Sequence, residues 1–169
     1  IWRGPMVNAA LQQLLFDTSW PELDYLLIDL PPGTGDIHLT LSKKAPISGA
    51  AVITTPQQIA LLDARKGVEM FRKVNVPILG VIENMSEHIC SSCGHHESLF
   101  GTAGGTQLAE DCDTELLGRL PLALDIRKGM DQGNPITTEQ PNGEIALSYK
   151  KVARSMVAKL ALQPVNYAA

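Results

Sequence analysis

The chain has 169 residues, 44% of them hydrophobic and 19% charged, and its net charge is −4. That length suits one domain, the apolar share excludes a disordered chain, and no apolar run approaches the roughly 18 residues of a membrane span. The acidic balance gives no basic field to hold nucleic acid or anionic lipid, and three cysteines are too few for a secreted disulfide scaffold.

The elements alternate along the chain. Pro5 fits the first turn of a helix over residues 6–16, with Leu11, Leu14 and Leu15 at helical spacing. Residues 25–30 form a short continuous apolar run that includes Asp29, the pattern of a strand buried on both faces. The Pro31-Pro32-Gly33-Thr34-Gly35 segment breaks it, and Asp36 is placed to cap a helix over 37–44. A second strand is expected at 50–54, then a helix at 57–74 with Leu61, Ala64, Val68 and Phe71 on one face. A third strand is expected at 77–82. Residues 83–105 read as mostly irregular, then a short helix at 106–111 and a fourth strand at 116–120, ended by Pro121. A short helix at 124–130 and a long one at 144–162 close the chain. The long helix has Ile145, Tyr149, Val152, Met156 and Leu160 on one stripe, and a frayed tail comes after it at 163–169. Strands alternating with helices predict an α/β protein with a mainly parallel sheet. Lys150, Lys151, Arg154 and Lys159 on the last helix read as a solvated basic face rather than a membrane surface.

Three groups of residues carry chemistry. Asp29, at the carboxyl end of a parallel strand, would lie in the crevice where α/β proteins bind ligands. An Asp in that place holds Mg²⁺ in nucleotide hydrolases. Gly33, Thr34, Gly35 and Asp36 then form a loop whose backbone N–H groups can approach a terminal phosphate. A strand-ending Asp also caps ordinary turns, and it is the attached loop that favours function. The expected partner is a P-loop, yet no Gly-Lys dipeptide occurs in the chain, and the Gly-rich Gly101-Thr102-Ala103-Gly104-Gly105-Thr106 stretch has no lysine. The chain opens Ile1-Trp2-Arg3 without an initiator Met, so a P-loop encoded upstream is the expectation.

The second group is Cys90-Ser91-Ser92-Cys93-Gly94-His95-His96. Two thiolates two residues apart can ligate one metal centre from a single turn, but they are half of a four-cysteine set. His95 or His96 could complete a zinc site, a second chain could bring its own pair, or the pair could be a redox dithiol. The dithiol reading wants a helix start after the first strand of a βαβ unit, not a loop after the third. Cys112 reads as a small core residue in an amphipathic helix. The third group is Asn84, just past the third strand, where an amide could meet an adenine edge or simply form a turn.

Trp2-Arg3-Gly4-Pro5-Met6, the 29–36 segment, Thr54-Thr55-Pro56-Gln57, Glu83-Asn84-Met85-Ser86 and Cys90-Ser91-Ser92-Cys93-Gly94-His95 occur in this order. Together they resemble the Mrp/ApbC family of iron–sulfur cluster carrier ATPases over most of the chain, from Trp2 to about Leu160. The resemblance implies a deviant-Walker P-loop NTPase fold related to MinD and ParA, and a homodimer that binds ATP and Mg²⁺. It implies a [4Fe–4S] cluster bridged by Cys90 and Cys93 of two subunits and delivered to apo iron–sulfur proteins in the cytoplasm, with cluster scaffold proteins as further partners. Neither nucleic acid nor membrane is implied as a partner. Asp29 would be the Walker B acid and residues 31–36 switch II. Asn84 would read adenine beside the backbone of Pro121 and Leu122. The P-loop, switch I and the first strand of the sheet are absent, so residues 1–162 are expected to form the carboxyl-terminal part of one domain and to bind ATP poorly alone. The rivals are a MinD/ParA-type positioning ATPase, which has no need of the cysteine pair, and a zinc module built on Cys90, Cys93, His95 and His96.

Overall fold

A computed structural model of the chain describes residues 4–30 and 35–163. Seven α-helices are seen among them: α1 Gly4–Gln12, α2 Asp36–Lys44, α3 Gln58–Lys73, α4 Gly104–Asp111, α5 Leu124–Asp131, α6 Ile136–Glu139 and α7 Glu144–Ala161. The strands are β1 Ala50–Thr54, β2 Ile78–Ile89, β3 His96–Glu97 and β4 Leu116–Ala123. A π-helical turn, Gln13–Asp17, continues α1. β2 is the central strand, parallel to β1 on one edge and to β4 on the other, and the short β3 runs antiparallel to its last residues. The expected mainly parallel sheet is present.

Side chains alternate across a strand, so neighbouring residues of β2 serve opposite layers. Val81 is buried with Val52, Leu61, Val68, Leu108, Ala109 and Cys112 beneath α3 and α4. Ile82 is buried with Leu117, Leu120 and Val152 beneath α7. The predicted stripes hold: Leu61, Val68 and Phe71 of α3 are buried, and Val152 of α7 is buried with Tyr149 and Met156 packed beside it. Arg65 of α3 bonds Asp111, and Arg72 donates to the Cys112 carbonyl, which ties α3 to α4.

Four expectations are corrected. Residues 25–30 form no regular element and join no ladder among the described residues, with Tyr25, Leu26 and Leu27 exposed. An apolar run becomes a strand only where a neighbour accepts its hydrogen bonds, and among the described residues β1 pairs with β2 alone. Asp36 is the first residue of α2 and Gly35 takes the cap position, so Asp36 is not the cap. β2 does not stop at Ile82 but runs seven residues further, to Ile89, through the first part of the segment read as irregular. β4 continues past Pro121 to Ala123. Among the described residues it bonds to β2 alone, and a strand with one open edge tolerates a residue that lacks an N–H. The 31–34 part of the switch-like loop and nearly all of the frayed tail lie outside the described residues.

Candidate functional site

The cysteine pair sits on a hairpin. β2 ends at His88 and Ile89, which pair with Glu97 and His96 of β3. Between them the Cys90 N–H donates to the His95 carbonyl at 2.9 Å, and the Gly94 N–H donates to the Cys90 carbonyl at 2.8 Å. The reversal needs a left-handed residue, and Gly94 supplies it at φ 70°. Both thiols are free, Cys93 is exposed and Cys90 half-buried. The Cys90 thiol is held below its ordinary range first by the Ser92 backbone N–H, then by the Cys93 backbone and side chain. Thiolate is the form that ligates metal.

The remaining ligands do not gather around the pair. Among the described residues no three His, Cys, Asp or Glu side chains converge to hold one ion. The His96 Nδ1 lies 3.0 Å from Glu87 Oε2 instead. Cys112 is buried at the end of α4, 4% exposed, in the core under α3. The hairpin therefore presents two free thiols with no third candidate ligand converging on them among the described residues.

The base of the hairpin is an irregular β2–β4 junction. From Asn84 to His88, β2 advances four residues, while β4 advances only two, from Leu120 to Leu122. Met85 turns through the left-handed region at φ 53°, which a side chain with a Cβ disfavours. Asn84 Oδ1 accepts the Met85 N–H at 3.0 Å, and Ser86 Oγ donates to the Leu120 carbonyl at 3.2 Å. Asn84 is paired with Leu120, the residue before Pro121, while Leu122 lies opposite His88. Asp29 is exposed on the irregular 25–30 segment.

One feature was not visible beforehand. Glu83 is 1% exposed in the middle of the sheet. It accepts the Gly105 N–H at 2.5 Å and the Arg119 Nε–H at 3.0 Å, and Arg119 also reaches Thr106 Oγ1 at 2.6 Å. A buried carboxylate needs such partners. The Gly-rich 101–106 stretch thus serves packing: a Cβ on Gly105 would lie 2.8 Å from Glu83 Cβ, too close for α4 to bring its N-terminus onto the acid. The available signal was an acid directly after an apolar strand run and an arginine inside another. A cavity of about 420 Å³ opens between the hairpin, α4 and α7, lined by Glu87, His96, Thr102, Arg119, Pro121 and Ser148 among others.

Comparison with known proteins shows the family. A family model described as ParA: NUBPL iron-transfer P-loop NTPase matches residues 1–157. An iron–sulfur cluster carrier protein of Pseudomonas fragi is 60% identical over 153 residues, 90% of this chain and 53% of that protein. The mouse iron–sulfur cluster transfer protein NUBPL is 48% identical over 164 residues, 97% of this chain and 51% of that protein. Among solved structures, an Archaeoglobus fulgidus nucleotide-binding protein in complex with ADP matches with a TM-score of 0.69 and 34% identity, over 82% of this chain and 56% of that one. Pyrococcus furiosus MinD matches at a TM-score of 0.60 and 21% identity, over 90% of this chain and 57% of that one, which speaks for the fold alone. The chain spans about half the length of the curated relatives it matches. On the match over residues 1–157 and these identities, the chain belongs to the NUBPL-type iron-transfer P-loop NTPases of the ParA family.

Proposed function

We propose that this chain is the cluster-holding part of an iron–sulfur cluster carrier, with Cys90 and Cys93 of two copies ligating one [4Fe–4S] cluster between them. The observation that supports it most is the hairpin: two thiols on one turn, one exposed, with no third ligand of the same chain converging on them among the described residues. A cubane takes about four protein ligands, so a second copy completes the set. The zinc-module reading requires His95 or His96 at the same ion, and His96 faces Glu87. The positioning-ATPase reading leaves the hairpin without a purpose.

In the whole protein ATP and Mg²⁺ would bind at the carboxyl ends of the strands. Asp29 would hold Mg²⁺, Gly33, Thr34, Gly35 and Asp36 would sense the terminal phosphate, and Asn84 with Pro121 and Leu122 would receive the base. The ion neutralises phosphate charge when bound. The proposed partners are apo iron–sulfur proteins and cluster scaffolds, in the cytoplasm. Among the described residues no helix is long and apolar enough to cross a membrane. The test is cluster transfer. Protein loaded anaerobically should restore activity to an apo [4Fe–4S] enzyme, and the Cys93→Ala protein treated identically should not. Equal restoration by both would refute carriage through this hairpin.

A further inference from the structure

We infer that Met85 is a positioning residue that links occupancy at Asn84 to the aim of the cysteine hairpin, through the single hydrogen bond from the Met85 N–H to Asn84 Oδ1. This rests on the reading of Asn84 as the residue that meets the base. β2 is one continuous strand from Asn84 to the hairpin, so the direction in which Cys90 leaves the sheet is set where the register breaks, between Asn84 and His88. Bulges of this kind bend the strand and re-aim the residues beyond them. The break is fixed on its near side: Glu83 is held by Gly105 and Arg119 and cannot shift without uncovering a buried charge. On its far side the hairpin is held by the pairs His88–Glu97 and Ile89–His96. Between the two lies a methionine in the left-handed region, a conformation that persists only when its surroundings over-determine it.

Two bonds do that here, the Asn84 carboxamide on the Met85 N–H and the Ser86 hydroxyl on the Leu120 carbonyl. A carboxamide that turns its plane to a base edge, giving and accepting one bond each, leaves the Met85 N–H. The left-handed turn then loses its support, and the hairpin loosens against β4. By linkage, the state of the hairpin biases base binding by the same factor.

The test is hydrogen exchange on the full-length protein, followed by mass spectrometry of a peptide covering residues 86–97, with and without Mg·ADP. The amides of residues 86–89, where β2 meets β4 beyond the register break, should exchange about fivefold or more faster with nucleotide bound. Met85→Gly makes the left-handed turn independent of Asn84. It should lose the nucleotide effect on exchange, and by linkage its Mg·ADP affinity should tighten by up to the same factor. Exchange that ignores nucleotide in the native protein, while Asn84→Ala weakens Mg·ADP binding, overturns the coupling and leaves the base-reading role intact. Unchanged affinity in Asn84→Ala overturns that role and the coupling with it.

Discussion

Three cysteines with one chemistry separate by their surroundings. Cys90 and Cys93 share a turn whose backbone N–H groups stabilise the Cys90 thiolate, whereas Cys112 packs among Val68, Leu108 and Ala109. Cys112→Ala is expected to cost about 1 kcal/mol of stability by urea unfolding and to leave reconstituted iron content unchanged. Iron lost in that variant would give Cys112 a ligand role the core denies it. The pairing of Cys90 with Cys93 was legible from spacing alone, and so was the inward burial of Cys112. The hairpin that presents the pair was not. Its register depends on the His88–Glu97 and Ile89–His96 pairs, and nothing in the local sequence announces a two-residue strand.

At the scale of elements, two polar contacts seat α4. Glu83 and Arg119 join β2 to β4 while Gly105 brings the start of α4 onto the same carboxylate. Arg119→Ala leaves Glu83 one backbone donor and no cation. With Arg119 about half exposed, the expected loss is about 1–3 kcal/mol in denaturant unfolding, below the figure for a fully buried pair. A loss under about 0.5 kcal/mol would mean the carboxylate has other support. At its other end α4 is held by Arg65 on Asp111. The Asp111 carboxyl is lowered from its ordinary value, first by the Gln107 amide and then by Arg65, and Arg65 is raised by Asp111. A depressed carboxyl stabilises the fold above its unfolded pKa, about 3.9, and that stability is lost as pH falls through the lower folded value. Arg65→Ala should therefore lower Tm at neutral pH and approach the native Tm on acidification, and a pH-independent gap would contradict the assignment. Helix faces were readable because the 3.6-residue period of α3 and α7 survives any context. The strand expected at 25–30 was not formed because strand identity lies in a partner rather than in the run itself. Pro121 misled for the same reason: whether a proline ends a strand depends on whether that edge is bonded.

On the scale of the whole molecule, the layers are those expected of the family. α3 and α4 cover one face of the sheet and α7 the other. Several apolar residues remain exposed, Leu27 at 82%, Ile53 of β1 at 63% and Ile59 of α3 at 70%. The family could be recognised because five short motifs keep their order across the chain, with residues 54–57 at the carboxyl end of β1 and residues 90–95 on the hairpin beyond β2, the end of the sheet where a fold of this class binds its ligands. The nucleotide half of the site was less legible, since its phosphate-binding loop is not in the sequence and the 31–34 segment lies outside the described residues. The central claim is that one cluster is shared by two hairpins. Anaerobic reconstitution with iron and sulfide, followed by native mass spectrometry and metal analysis, tests it directly. The account predicts a dimer carrying about four iron and four sulfide in all, hence about two iron per chain. A monomer holding one zinc, or a full cluster on a single chain, would contradict it.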